Sequence, residues 1–256
     1  MPTLSPPVSA ILLCYNTEHY VADALRSALT QDCAPMQLIV SDDASTDGTA
    51  AVVQGMLAAY RGPHRTEFYR RANNSGSKSA HLNSVFPRAT GDLIVSFDDD
   101  DISEPYRVRR IIDAYLTNPS AHALFSSFSV IDETGRPWGS VSPPHPPAGE
   151  PASTWFARVD SYAAGTTLAI RREVLARFGE LDPNINEDIV LPFRASLLGD
   201  VVYLGEDLVR ARRHGASLTR NFDDFASLDR YRERIELGIE RARRRRASRL
   251  ADIRAA

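Results

Sequence analysis

Three short, almost wholly apolar runs dominate what this chain can fold into: Val8–Cys14 (VSAILLC), Gln37–Ser41 (QLIVS) and Asp92–Phe97 (DLIVSF). Each has the length of a strand, and none shows the alternation expected of a strand with one wet face. Strands buried on both faces belong to parallel sheets covered by helices on either side. The intervening sequence supplies the helices. Tyr20, Val21, Ala24, Leu25, Ala28 and Leu29 recur at helical spacing, which predicts a helix over about residues 18–31. Ser45 stands as an N-cap before a helix carrying Val52, Val53, Met56 and Leu57. Glu67–Arg70 is a short strand candidate, and a helix from about Ser77 to Phe86 turns Ala80, Leu82, Val85 and Phe86 inward. This alternation predicts one α/β domain with a mostly parallel sheet and right-handed crossovers. Ligands of such sheets bind beyond the carboxyl ends of the strands.

Past the third run, Ser103 and Pro105 read as the N-cap and first turn of a helix reaching about Leu116. Ala121–Ile131 is a strand or a bent pair of strands. Pro137–Pro151 holds six prolines in fifteen residues and reads as a loop, a lobe or lid over the site. Tyr162–Ile170 is strand-like, Arg172–Phe178 and Ile189–Leu198 are short helices, and Val201–Leu204 and Leu208–Arg212 are strands. A final helix beyond Phe222 aligns Leu228, Tyr231, Ile235 and Ile239 on one face.

The bulk chemistry excludes some classes. A net charge of -3 and an isoelectric point near 6.1 give no basis for a nucleic-acid partner. Cys14 and Cys33 make neither a disulfide framework nor a metal knuckle, so both are expected reduced. Met1–Pro7 lacks the basic and apolar stretches of a secretory signal, and no apolar run approaches the roughly 18 residues of a membrane span. The expectation is a cytoplasmic protein, attached to a membrane at most peripherally.

Five groups of residues carry chemistry. Asp98, Asp99, Asp100 and Asp101 directly follow an apolar strand, and burying even part of that charge is costly without a cation. A hard divalent ion held to a diphosphate removes the difficulty; a solvated acidic turn capping the next helix is the other reading. Asp42–Asp43 ends the second strand, where a carboxylate accepts from a nucleobase or ribose or else closes an Asx-turn. Asn74–Lys78 (NSGSK) is either a phosphate cradle with Lys78 as its cation or an ordinary polar loop. Glu187–Asp188 precedes an apolar helix, either as helix caps or as the source of a carboxylate base. Arg210, Arg212, Arg213 and His214 follow the last strand, where they either face a leaving diphosphate, His214 also reaching a metal, or lie on the surface.

Taken in order, these residues resemble the inverting glycosyltransferases of family 2, which have the GT-A fold. Val8–Asn16 (VSAILLCYN), with Tyr20 and Ala24, is similar to that family's first strand and loop, and Leu38–Thr49 (LIVSDDASTDGT) to its second-strand motif. Asn74, Gly76, Ala80, Asn83 and Ala89–Asp92 resemble the stretch before the metal motif, and Asp98–Asp101 with Pro105 stands where the family has DxD. The likeness covers roughly residues 8–215. It departs at Leu13 and Cys14, which stand where the family often has Pro and a small residue, at Ala44 for the usual Gly, and at Asp99 for a small residue inside DxD.

The resemblance implies transfer of a sugar from a UDP-sugar, with Mn²⁺ or Mg²⁺, to a hydroxyl of a glycan or lipid-linked saccharide in cell-surface polysaccharide synthesis. It implies inversion at the anomeric carbon. Asp43 and Tyr15 would hold the uracil, Asp98 and Asp99 the ribose and sugar, and Asp100, five residues before Pro105, the metal. His214 would lie near the pyrophosphate, and Asp188 would be the general base. On this reading residues 1–104 form the nucleotide-sugar half, 105–215 the acceptor-binding and catalytic half of the same domain, and 216–256 a basic helical tail. A nucleotidyltransferase is an alternative, but Tyr15–Glu18 (YNTE) lacks the Gly-rich basic loop it needs. Against a non-catalytic nucleotide-binding protein stand Asp98, Asp100 and Asp188. Finally, Arg241–Arg249 holds six arginines in nine residues, either a solvated helix end or a contact for anionic membrane lipids.

Overall fold

The structure, a computed structural model, describes residues 6–158, 162–215 and 243–256. In chain order its elements are β1 (Val8–Cys14), α1 (Val21–Leu29), β2 (Gln37–Asp42), α2 (Thr49–Ala59), β3 (Arg65–Arg70), α3 (Lys78–Val85), β4 (Leu93–Asp98), β5 (Ile102–Ser103) and α4 (Arg107–Thr117). There follow β6 (Ala121–Ile131), β7 (Pro137–Val141), α5 (Ala152–Phe156), β8 (Ala169–Arg171), α6 (Arg172–Phe178), α7 (Glu187–Leu198) and β9 (Asp200–Arg212). Residues 243–255 are helical again.

One sheet runs β3-β2-β1-β4-β8-β6-β9-β5, with β7 paired to the Phe128–Ile131 end of β6, past the residues that β8 covers. The first four strands are mutually parallel, as the apolar runs predict. β8 lies antiparallel between β4 and β6, and β6 and β9 are parallel to each other. Two-sided burial is visible residue by residue in β1. Ile11 and Leu13 enter one core with Leu82 and Val85 of α3 and Leu191 and Phe193 of α7. Ala10, Leu12 and Cys14 enter the opposite core with Val21 and Leu25 of α1, Val53 of α2 and Ile111 of α4. Alternate side chains of one strand thus pack against helices on both faces, each buried Leu or Ile contributing about 1.5–3 kcal/mol.

Several expectations change. Ser45 does not cap α2, which starts at Thr49 behind Gly48; the Ser45 hydroxyl donates to Asp42 instead. Ser103 is not a helix cap either. Pairing of Ile102–Ser103 with Val209–Arg210 holds it in β5, and α4 begins at Arg107. The proline-rich segment is not all loop: Pro137–Val141 forms an edge strand, where a missing N–H is tolerated. The loop beyond it is tacked down, with His145 stacked on Tyr203 at 3.9 Å and Ser142 hydrogen-bonded to the Tyr203 hydroxyl at 2.6 Å. The strand expected over Tyr162–Ile170 shrinks to β8 behind a 3₁₀ turn at Gly165–Thr167. The two strands expected after residue 200 are one, β9, with shifts in its register against β6. The face of Leu228, Tyr231, Ile235 and Ile239 lies outside the described residues. Cys14 and Cys33 are both free thiols.

Candidate active site at the strand ends

The parallel strands deliver their carboxylates to one edge, and the four consecutive aspartates there go to four different partners. Asp98, closing β4, receives Lys78 Nζ at 2.6 Å. Asp99 turns back to β1, where its Oδ2 accepts the Tyr15 N–H at 2.8 Å and the Thr17 hydroxyl at 2.6 Å. Asp100 Oδ2 lies 3.0 Å from His214 Nε2, just beyond β9. Asp101 accepts the Arg212 N–H at 2.8 Å and the Thr166 hydroxyl at 2.5 Å. The acidic run is therefore not a turn capping the next helix.

Crowding shows in the proton affinities. Burial, and then the neighbouring Asp100 charge, push Asp99 up to about 7. Asp101 rises to about 8 for the same reasons, with Asp98 adding to the repulsion. Asp100 is raised by burial and by Asp98, against the pull of His214. A cluster of this kind favours an arriving cation. Among the described residues, no group of three or more His, Cys, Asp or Glu side chains is arranged to hold one unaided. Asp100 and His214 offer a hard oxygen and an imidazole nitrogen side by side, so a divalent ion fits where a ligand's own oxygens complete its shell.

The β2 end separates its two aspartates by role. Asp42, fully buried, closes a turn with Ser45 and pairs with Arg70 at 3.1 Å. Asp43 faces the 73–77 loop, accepting the Ser75 N–H at 2.9 Å and the Ser75 hydroxyl at 2.6 Å and pairing with Arg71 at 3.0 Å. A carboxylate takes about four hydrogen bonds, which leaves room for a further donor. Between them and the helix, Ala44 sits at φ 62°, the left-handed region that accounts for the Gly in the resembling family's motif. Tyr15, at the end of β1, is about half exposed and rims the same edge.

α3 and α7 close the other side. Ser77 caps α3 by accepting the Ala80 N–H, and Lys78 follows it into the site. Lys78 Nζ bridges Asp98 and, at 2.9 Å, Glu187 Oε1 in the first turn of α7. Burial works against its charge, but the two carboxylates outweigh it and hold its pKa well above normal. Neither Glu187 nor Asp188 is an N-cap; that place belongs to Asn186, and no side chain caps the helix. Asp188 Oδ1 is buried without a hydrogen-bond partner. Burial and the Glu187 charge raise Asp188 to about 7, opposed by Lys78 and by Arg245 of the C-terminal helix. Gly165 fits against this group because a Cβ there would lie 2.8 Å from Glu187 Oε1 and 3.7 Å from Lys78 Nζ.

Tyr15, Asp43, Lys78, Asp98, Asp99, Asp100, Asp188 and His214 thus lie around one strand edge, although Lys78 pairs with carboxylates rather than standing free. The arginines at the end of β9 do structural work instead: Arg210 pairs with Glu104 at 3.0 Å. Arg212 is buried, its guanidinium donating to the Asp100 and Glu133 carbonyls. Sequence reasoning missed Thr17 and Thr166 as partners of the acidic run. It also missed the Tyr20 ring, packed 4.4 Å from that of His214. Only the nearby Tyr15–Asn16 stretch, quoted for the first strand and loop, signalled Thr17 and Tyr20.

Residues 9–179 match the family model described as Glycosyl transferase family 2. An uncharacterized glycosyltransferase, alr2836 of Nostoc sp., is 26% identical over 216 residues, covering 82% of this chain and 66% of its own. The putative glycosyltransferase EpsE of Bacillus subtilis is 32% identical over 146 residues, 56% of this chain and 51% of its own. The GalNAc(5)-diNAcBac-PP-undecaprenol beta-1,3-glucosyltransferase of Campylobacter jejuni is 29% identical over 96 residues, 38% of this chain and 30% of its own. The chain therefore spans two thirds or less of the length of these relatives. Among solved structures, S. aureus TarS 1-349 in complex with UDP-GlcNAc superposes with a TM-score of 0.61 at 20% identity, covering 82% of this chain and 60% of that one. The mannosyltransferase PcManGT of Pyrobaculum calidifontis, in complex with GDP-Man and Mn2+, gives 0.58 at 19% identity, covering 80% and 56%. At those identities the likeness concerns the fold.

Proposed function

Since the chain belongs to glycosyl transferase family 2 and has its GT-A fold, we propose that it is an inverting, metal-dependent enzyme that transfers a sugar from a UDP-sugar to a hydroxyl of a glycan or lipid-linked saccharide. The observation that carries this reading is Asp188, a half-buried carboxylate whose Oδ1 is buried without a hydrogen-bond partner, in the first turn of α7 beside the Lys78–Asp98 pair. The TarS complex with UDP-GlcNAc supports a uridine donor, and the Campylobacter relative supports a lipid-linked acceptor and a role in polysaccharide synthesis. An acceptor of that kind calls for peripheral contact with a membrane, on the inner face of the plasma membrane. Among the described residues no helix is long and apolar enough to cross one.

Residues 1–104 supply the donor side. Tyr15 and Asp43 flank the base, Asp98 and Asp99 hold the ribose and sugar, and Lys78 fixes Asp98 in place. Asp100 and His214 would hold Mn²⁺ or Mg²⁺, whose chemistry would be to offset the negative charge of the departing diphosphate. Residues 105–215 supply the acceptor side. The Asp188 carboxylate takes the proton of the acceptor hydroxyl, and the hydroxyl oxygen bonds to the anomeric carbon from the face opposite the diphosphate. The bond from the anomeric carbon to the diphosphate oxygen breaks, UDP takes its electron pair, and the configuration inverts. Positioning by Lys78 and the aspartates, with stabilisation of the charge that develops on the leaving group, supplies most of the rate enhancement.

Calorimetric titration of UDP, GDP and dTDP with Mn²⁺ and then with excess EDTA tests the donor half. Tight UDP binding that EDTA abolishes is expected, followed by release of UDP from one UDP-sugar on addition of acceptor. A folded protein that binds no nucleotide would overturn the assignment.

A further inference from the structure

The C-terminal arginines do not form one solvated patch. The helix over residues 243–255 lies against α7, where Arg245, Ser248, Arg249 and Asp252 line a narrow crevice with Ile185, Ile189, Val190 and Phe193. Arg194 Nε of α7 pairs with Asp252 Oδ1 at 3.1 Å, and both side chains are almost wholly buried. Arg249 Nη1 donates to the Ala157 carbonyl at 2.7 Å, and its guanidinium lies 5.2 Å from the centre of the Phe193 ring. These contacts fix the rotation of the helix about its axis.

At about 100° per residue, the opposite face then carries Arg243, Arg246, Ala247, Leu250, Ile253 and Arg254, all exposed. Leu250 is 47% and Ile253 53% exposed, among the most exposed large aliphatic residues described. The sole acidic residue from 243 to 256, Asp252, is turned inward, so the outer face is purely cationic and apolar. Two aliphatic side chains projecting among three arginines suit a helix lying in the headgroup layer of a bilayer, the apolar side chains below the phosphates and the guanidinium groups level with them.

We propose that this outer face docks the protein on an anionic lipid bilayer. The contact deepens the lipid-linked acceptor assignment, on which it rests, by specifying the surface and the lipid charge. It also places α7, and with it Asp188, one helix away from the membrane, because the inner face of the docking helix is the surface that grips α7. An aqueous donor and an acceptor anchored in the bilayer would then meet at the same strand edge.

Co-sedimentation of the full chain with vesicles of phosphatidylglycerol and phosphatidylcholine, against pure phosphatidylcholine, at low and high salt, tests this. Binding to the anionic vesicles alone is expected, weakened by salt. The variant R243E/R246E/R254E should lose at least about a hundredfold in vesicle affinity, since each arginine near an anionic surface is worth about fivefold. The variant L250S/I253S should retain weak, fully salt-sensitive binding. Both should keep wild-type UDP binding and wild-type turnover of a soluble acceptor, which separates loss of docking from loss of the enzymatic reading. No sedimentation with anionic vesicles, or sedimentation unchanged in both variants, would overturn the proposal. So would a wild-type dimer that L250S/I253S converts to monomer without any lipid binding, which would assign the face to a second copy.

Discussion

Asp100 and His214, 114 residues apart in the chain, meet at 3.0 Å across the end of the sheet. Their meeting depends on β9 running as one strand from Asp200 to Arg212, which carries His214 to the edge where β4 ends. Replacing Asp100 with alanine should reduce Mn²⁺-dependent UDP binding to the level seen in EDTA. The fold should survive, because the substitution relieves repulsion on Asp99 and Asp101 rather than breaking a core contact. Calorimetry and circular dichroism on the same sample check both statements.

Asp188→Asn should lower kcat by about 10²–10⁴, the range for a lost general base. In the wild type the acid limb of the kcat/KM profile should fall near pH 7. Burial and Glu187 raise Asp188 to about 7, so the catalytically needed anion predominates above that pH and is lost as the pH falls below it. A pH–rate series with soluble acceptor reads the limb directly. Activity independent of pH between 6 and 8, on roughly that scale, would remove Asp188 from the role.

Gly165→Ala should cut kcat/KM by about ten- to a hundredfold while leaving the protein folded, because the added Cβ displaces Glu187 and Lys78 from their shared geometry. Steady-state kinetics together with a melting curve separates this from unfolding.

Ala44→Gly should stabilise the protein by about 1 kcal/mol, the cost of holding a non-glycine residue in the left-handed region. A higher denaturation midpoint with unchanged UDP affinity is the expected outcome.

Asp252→Ala should destabilise by about 3 kcal/mol, the low end for breaking a buried pair, because the Gly179 and Glu180 carbonyls still receive the Arg194 guanidinium. Urea titration measures it. Pairing Asp252→Leu with Arg194→Met should recover most of the loss.

The sheet was legible where one physical signal was enough. Runs apolar on both faces can only be covered strands, and β1, β2 and β4 lie where those runs are. The acidic run was legible as a site for the same local reason, since four adjacent charges need partners. Which partner each aspartate takes was not legible. Thr17, Lys78, Thr166 and His214 come from segments whose meeting is set by strand order, and strand order leaves no trace in local composition. Ser45 and Ser103 have good capping chemistry, but Asp42 and the pairing of β5 with β9 claim them first. The arginine-rich helix misled in a different way. Its composition reads as solvent-facing, while Arg249 and the Arg194–Asp252 pair are buried by contacts with α7 and the Ala157 carbonyl.

Because Asp98, Asp99, Asp100 and Asp101 are adjacent yet answer to α3, β1, the end of β9 and the Thr166 turn respectively, the acidic run works as an index peg for four distant stretches of chain. Insertion or deletion of one residue there would hand every carboxylate to the wrong neighbour at once. A loop that makes no such set of contacts tolerates a change of length, while this tetrapeptide is held to its length by all four partners together.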